Sequence, residues 1–511
     1  MPSQRAHTSG LTLLLGLALL KFLLSLLVHP EFEFHRDEFL YIAMGRHLDW
    51  GYLENPPMIA LIAKLAQLLF GDSLFAAHFF PALAGALLVI ISGLMVHELG
   101  GGRFAQTLAA VAYIAAPAFL RTNTMFQPVS FDQLLWALAA YLLIRILKKQ
   151  SPRRWMALGV VVGLGLLTKY TMLLFACAVF ASMLLTSARH MLRTKWPWFA
   201  AALAFAMWLP NLIWQYVHGW PFLEHMQMLS RNQLVNVEPA GFILMQVLMS
   251  FSASCIWMFG LYFYFSKAGQ PFRTLGWIYV VCFALLLFLS GKAYYLLPAY
   301  PMLFAAGGCA MEKYVLSAQR AWLKPALLSF IIASNLGGLP YGVPILSVAA
   351  LEKYVAFMAN LGLAEPLRWE DGKLHRIPQD YADMLGWENQ AATVAQVYHS
   401  LAPEEQKQCS ILASNYGQAG ALEYYGAKYG LPKVISYHGS FYLWGPGNAS
   451  QEILLTVGIA AEDLQPYFQR VELAGTIMHP YARENDIPIL VCRRANVSLQ
   501  EVWPRLASER F

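Results

Sequence analysis

At 511 residues the chain is 58% hydrophobic and only 13% charged, with a formal net charge of +6. A soluble globule is about half apolar and about a quarter charged, so this balance excludes one and calls for a polytopic membrane protein. The basic residues sit in short loops between apolar runs rather than on a nucleic-acid-binding face.

Apolar stretches of about 20 residues, the length that crosses a bilayer, predict helices near 11–29, 79–98, 105–121, 130–147, 155–168, 171–187, 196–215, 241–263, 275–290, 294–311 and 325–346, about eleven in all. The first runs from Leu11 to Val28 with no small-residue cleavage site before Glu31, so it reads as an uncleaved span rather than a signal peptide. Lys21 within it is expected to face a protein or wet interior. Assigning the amino terminus and alternate loops to one side puts 15 Lys and Arg there, against 7 on the other side with its longer loops. Positive charge marks the cytoplasm, so an odd span number leaves the tail outside.

The outer loop, residues 30–78, opens with Glu31-Phe-Glu-Phe-His-Arg-Asp37-Glu38. Met58 to Phe70 is apolar but too short to span, with Lys64 and Gln67 on one side, which suggests a helix lying in the interface. Phe39 to Leu48 repeats Tyr41, Met44 and Leu48 at helical spacing, and Gly51 to Pro57 is a turn-forming link. The division is therefore a membrane domain over 1–347 and an extracytoplasmic α/β domain over 348–511. In the tail, strands are expected at 410–414, 434–436, 452–459 and 487–492, with helices from Asn415 through Tyr425 and over Glu462–Gln469. Gly417 and Gly420 form one short pair, read as strand-to-helix packing. Cys177, Cys255, Cys282 and Cys309 fall in spans as buried thiols, while Cys409 and Cys492 could form a disulfide if their strands adjoin. There is no C-x-x-C, H-E-x-x-H, Walker-type loop or G-x-S-x-G elbow, which argues against an ATP-driven pump, a metalloprotease and a lipase-like hydrolase.

What remains is a group of charges at the outer ends of spans: Asp37 and Glu38, Asp132, Lys169 beside Tyr170, Arg231, and Lys292. Charges near hydrocarbon are costly and mark function by default. A carboxylate and several cations at one membrane face suit attack by an acceptor hydroxyl on a sugar carried by a lipid phosphate. Asp37 would be the general base, with Glu38 beside it, and Lys292, Lys169 and Arg231 would hold the phosphate. Displacement opposite the leaving phosphate would invert the anomeric centre. Trp50, Tyr52, Tyr294 and Tyr295 are the aromatics best placed to contact the sugar. A lipid or sugar transporter would also use charges among helices, but it should show inverted repeats, and none is evident. A docking scaffold would leave the grouped charges unexplained.

Five segments occur in order: Asp37-Glu38-Phe-Leu-Tyr41, Gly51-Tyr-Leu-Glu-Asn-Pro-Pro-Met58, Gly165-Leu-Leu-Thr-Lys-Tyr-Thr171, Pro210-Asn-Leu-Ile-Trp-Gln-Tyr-Val-His-Gly-Trp220 and Gly291-Lys-Ala-Tyr-Tyr-Leu-Leu-Pro-Ala-Tyr-Pro301. Together they resemble the bacterial family 39 and 83 glycosyltransferases, relatives of protein O-mannosyltransferases and aminoarabinose transferases. The tail segments Ser414–Gly420, Tyr429–Pro432 and Tyr442–Pro446 resemble the carboxy-terminal domain of many members. The resemblance implies the glycosyltransferase C fold in a bacterial inner membrane and a polyprenyl-phosphate-linked sugar donor. It also implies a catalytic carboxylate at Asp37 and donor phosphate near Lys292. The acceptor would be a lipid, glycan or protein. Asn55 stands where relatives carry His or Lys, and His78 where Arg is common. A divalent metal, used by some members, could be ligated by Asp37 with Glu38 or Asp132.

Overall fold

The computed structural model describes the backbone of residues 2–232, 234–317, 319–450 and 452–510, and within these the side chains from residue 10 onward apart from 232 and 236. Each apolar stretch expected to span carries helix. In chain order the helices are α1 (Pro2–Ser25), α2 (Arg36–Arg46), α3 (Met58–Phe70), α4 (Leu74–Glu98), α5 (Arg103–Ala115), α6 (Pro117–Asn123), α7 (Pro128–Lys148) and α8 (Pro152–Leu166). They continue as α9 (Thr171–Leu184), α10 (Trp196–Val217), α11 (Pro221–Asn232), α12 (Pro239–Leu248), α13 (Ser254–Phe265), α14 (Arg273–Phe288), α15 (Tyr300–Ser317) and α16 (Leu323–Leu336). The tail adds α17 (Val348–Asn360), α18 (Trp387–Ser400) and α19 (Tyr416–Tyr429).

Several expected spans are not single straight rods. Among the described residues, four helices are long and apolar enough to cross a membrane, or up to seven if each bent pair counts as one span. The stretch 105–121 is broken into α5 and α6 at an angle of 69°, where Pro117 cannot supply the backbone N–H that continues a helix. The stretch 241–263 turns by 95° between α12 and α13, and the segment from α9 into the following 3-10 turn bends by 106°. Lys21 explains how the first break is held. It is fully buried, its Nζ donates to the Phe119 carbonyl at 2.9 Å, and it lies over the Tyr113 ring. This bond ties α1 to α6 just past the break.

The interfacial helix is α3, over the expected residues. Ile59, Ala60, Ala63 and Ala66 pack inward while Leu61, Leu65, Leu68 and Leu69 remain exposed, the pattern of a helix whose outer face meets lipid.

The tail contains a five-stranded sheet of β1 (Cys409–Ala413), β2 (Val434–Ser436), β3 (Ile453–Val457), β4 (Phe468–Ile477) and β5 (Ile487–Ala495) in the order β2-β1-β3-β5-β4. β1 is parallel to β2 and β3; β5 is antiparallel to β3 and β4. The helix expected over Glu462–Gln469 is instead a single turn, Ala461–Leu464, followed by β4, an edge strand whose side chains are largely exposed. The disulfide does not form. Cys409 pairs with Ile453 and Cys492 with Leu454, so β3 lies between them and both thiols are free and buried. Two strand spacings are about 9–10 Å, beyond the reach of a disulfide.

The tail and the outer loop share one apolar core. Phe34, Phe39, Met44 and Ala60 pack with Trp387, Ile411, Ala419, Leu455 and Val491. The loop's acidic residues fasten this union. Glu31 accepts from the first amide of α17 at 2.7 Å, and Glu33 accepts from Gly386 and Glu388 at 3.0 and 2.8 Å at the start of α18. Both carboxylates meet unpaired amides at the positive end of a helix dipole.

Candidate active site

The site is built where α2 begins. His35 caps the helix: its side chain accepts from the Asp37 amide at 3.2 Å, while Glu38 reaches back to the His35 amide at 2.7 Å. Glu38 also accepts from His78 at 3.0 Å and from the Phe126 amide at 2.5 Å, and it is fully buried. Burial alone would raise its pKa, but the charge and hydrogen bond of His78 and the Phe126 amide outweigh that and hold it below the usual carboxylate range. Glu38 is therefore a structural anion joining α2, α4 and the turn before α7, and it does not face a substrate. The catalytic role expected for it is corrected accordingly.

Asp37 has a different partner. It is half-buried, and its Oδ1 accepts from the Tyr416 hydroxyl at 2.7 Å. Its Oδ2 accepts no hydrogen bond among the described residues. Glu54 lies nearby, its oxygens accepting from the Ser440 amide at 2.9 Å and the Ser440 hydroxyl at 2.5 Å. Burial pushes Glu54 up to about 7; the Ser440 hydrogen bonds oppose this and the Asp37 charge adds to it.

Two cations form a second group. Lys169, between α8 and α9, sits 5.2 Å from the Tyr294 ring centroid and 5.0 Å from that of Tyr295. Burial lowers its pKa to about 8; Asp132 opposes that shift and Lys292 reinforces it. Asp132 is 1% exposed, accepts from the Thr171 hydroxyl at 2.7 Å and serves as the counter-ion of Lys169. Lys292 precedes the 3-10 turn Ala293–Ala299 and pairs with Glu370 of the tail at 3.9 Å. Tyr294 closes the group, because it lies in electrostatic range of Asp37 and against Lys169.

Lys169 thus lies with Asp132, Lys292, Tyr294 and Tyr295, and Asp37 lies within electrostatic range of Tyr294. The structure leaves others outside. Arg231 is exposed on the last turn of α11 and forms no ion pair among the described residues. Tyr52 is 1% exposed and donates to the carbonyls of Met44 and His47, so it terminates α2 and does not meet sugar. The Tyr170 hydroxyl donates to Asn211 at 2.9 Å and accepts from Gln215 at 3.3 Å, a latch to α10. Asn55 is half-buried, and its carbonyl accepts from the Tyr52 amide at 3.1 Å. No group of three or more His, Cys, Asp or Glu side chains among the described residues is placed to hold a metal. Asp37 with Glu38 or Asp132 does not fit one, since Glu38 is saturated behind α2 and Asp132 faces Lys169.

Sequence reasoning missed Tyr416, Glu54 and Glu370. Tyr416 opens α19 directly after β1, a position that draws attention only once α19 is seen packed on α2. Both glycines there allow that approach: a Cβ on Gly417 would lie 2.5 Å from Arg36 Cγ, and one on Gly420 2.6 Å from Phe39 Cβ. The pair therefore packs helix against helix, α19 on α2, and not strand against helix as expected.

Residues 54–214 match the family model described as dolichyl-phosphate-mannose-protein mannosyltransferase. Lipid A galacturonosyltransferase RgtD of Rhizobium johnstonii is 27% identical over 223 residues, which are 43% of this chain and 46% of that protein, so the match spans about half the length of the curated relative. ArnT from Cupriavidus metallidurans superposes in its apo state with a TM-score of 0.59 at 16% identity, over 95% of this chain and 98% of that one. Its complex with undecaprenyl phosphate gives 0.58 at 15% identity over the same shares. The chain thus shares the fold of ArnT along nearly its whole length, and residues 54–214 are similar to the dolichyl-phosphate-mannose-protein mannosyltransferase family.

Proposed function

We propose that this protein transfers a sugar from a polyprenyl-phosphate carrier to a hydroxyl acceptor at the outer face of the bacterial inner membrane. Asp37 takes the acceptor proton as its oxygen bonds to the anomeric carbon. The bond from that carbon to the phosphate oxygen breaks, and its electron pair leaves with the polyprenyl phosphate. Lys169 and Lys292 offset the charge growing on that phosphate, while Tyr294 and Tyr295 wall the sugar. Attack opposite the phosphate inverts the anomeric centre. The distribution of basic loops supports a cytoplasmic amino terminus and an external tail.

The observation that carries this reading is the contrast between neighbouring carboxylates. Glu31, Glu33 and Glu38 are bonded to backbone amides, whereas Asp37 keeps one oxygen without a hydrogen bond among the described residues, and Tyr294, within its electrostatic range, lies against Lys169. The similar proteins add chemistry: ArnT binds undecaprenyl phosphate, and RgtD is a lipid A galacturonosyltransferase. A lipid-anchored glycan is therefore the first acceptor to test.

The test reconstitutes the protein in nanodiscs with a polyprenyl-phosphate-sugar and lipid A, and follows product by mass spectrometry and its anomeric configuration by NMR. Asp37→Asn should lose about 10²–10⁴-fold in turnover at unchanged yield. Turnover within about threefold of the parent, or a retained configuration, would refute Asp37 as the base of a single displacement.

A further inference from the structure

We propose that Tyr416, contributed by the tail domain, is a positioning residue that orients Asp37, so that the tail completes the active site. This rests on the reading of Asp37 as the base and extends it.

A carboxylate near the start of a helix is free to turn about its side-chain bonds, and a base must present one oxygen to its substrate. The Tyr416 hydroxyl, 2.7 Å from Oδ1, fixes that choice and leaves Oδ2 for the acceptor. Burial and the charge of Asp37 both raise the Tyr416 pKa well above its ordinary value, so the phenol keeps its proton and donates. The phenol is itself held from several sides. Asn415 caps α19 by accepting from the Gln418 amide at 3.0 Å, and Glu484 accepts from Asn415 at 3.2 Å and Gln418 at 2.8 Å. The Arg36 guanidinium lies 4.8 Å from the Tyr416 ring centroid, and the His438 ring lies 5.3 Å away on the other element packed there. Arg36 immediately precedes Asp37, so one backbone step links the clamp on the ring to the carboxylate it orients. A tyrosine that merely joined two domains would not need its hydroxyl on this carboxylate, since the surrounding apolar core already joins them.

The test uses the full-length protein in nanodiscs. Tyr416→Phe keeps the ring and the Arg36 contact and removes the donor. It should lower kcat about 10- to 100-fold with KM for donor and acceptor changed less than about twofold. Tyr424→Phe, in the same helix, should match the parent. In an Asp37→Asn background Tyr416→Phe should cost nothing further, because the group it orients has lost its function. An unchanged kcat in Tyr416→Phe beside an inactive Asp37→Asn overturns the positioning role and leaves the catalytic reading intact. Full activity of Asp37→Asn overturns that reading first. Loss of folded protein in Tyr416→Phe, or losses that simply multiply in the double variant, overturns positioning in favour of a structural contact.

Discussion

Replacing Glu38 distinguishes a structural carboxylate from a catalytic one a single residue away. The side chain serves three buried donors: the amides of His35 and Phe126 and the ring of His78. Each buried donor left without a partner costs about 1–3 kcal/mol, so Glu38→Ala should destabilise by roughly 3–9 kcal/mol, comparable to the whole stability of many domains. Glu38→Gln retains one oxygen but turns an amide N–H₂ toward a donor, and should cost about 1–3 kcal/mol. The assay is thermal unfolding in nanodiscs together with turnover per folded molecule. Glu38→Ala should fail to accumulate, and Glu38→Gln should melt earlier while retaining kcat within about threefold. A Glu38→Gln variant that is as stable as the parent yet inactive would refute the structural assignment.

The Lys292–Glu370 pair is partly exposed, and such pairs are worth about 0–1 kcal/mol. Freeing Lys292 with Glu370→Gln should therefore lower donor KM by up to about fivefold, read from initial rates with the acceptor saturating; a raised KM would count against a phosphate role. Because burial raises the folded-state pKa of Glu54, its contribution to stability is fullest below its unfolded value and is lost as pH rises toward about 7. Hydrogen exchange at the Ser440 amide should accordingly speed up from pH 5 to pH 8 beyond its intrinsic dependence, and Glu54→Gln should flatten that excess; the same excess in the variant would exclude Glu54 as its source. Oxidant should not cross-link Cys409 to Cys492, and an impermeant maleimide should label neither until the tail unfolds; a mass loss of two hydrogens across the pair would contradict the sheet register.

The spans were legible because apolar runs about 20 residues long have few alternatives. The interfacial helix was legible because Met58 to Phe70 is apolar yet short. Breaks were harder: Pro117 is visible in sequence, but the 95° turn between α12 and α13 occurs at Ser250 and Phe251, neither of which is a helix breaker by type. β4 was missed because an exposed edge strand lacks the apolar alternation that marks a half-buried one. Within the site, Asp37, Asp132, Lys169 and Lys292 could be picked out because a charge at a span end is costly. Arg231 met the same criterion and stands apart, which shows that the criterion gives a membrane level and not a direction. Tyr416 reaches Asp37 across 379 residues; no local pattern encodes a contact of that kind.

The interleaving of the outer loop with the tail has a consequence for biosynthesis. Residues 34–63 share their core with residues as late as Val491, so that core closes only after Val491 has left the ribosome. Nascent or prematurely terminated chains can thread their early helices into the bilayer, but they lack the partner surface that seats α2. The seat of α2 is thus among the last parts of the fold to be completed.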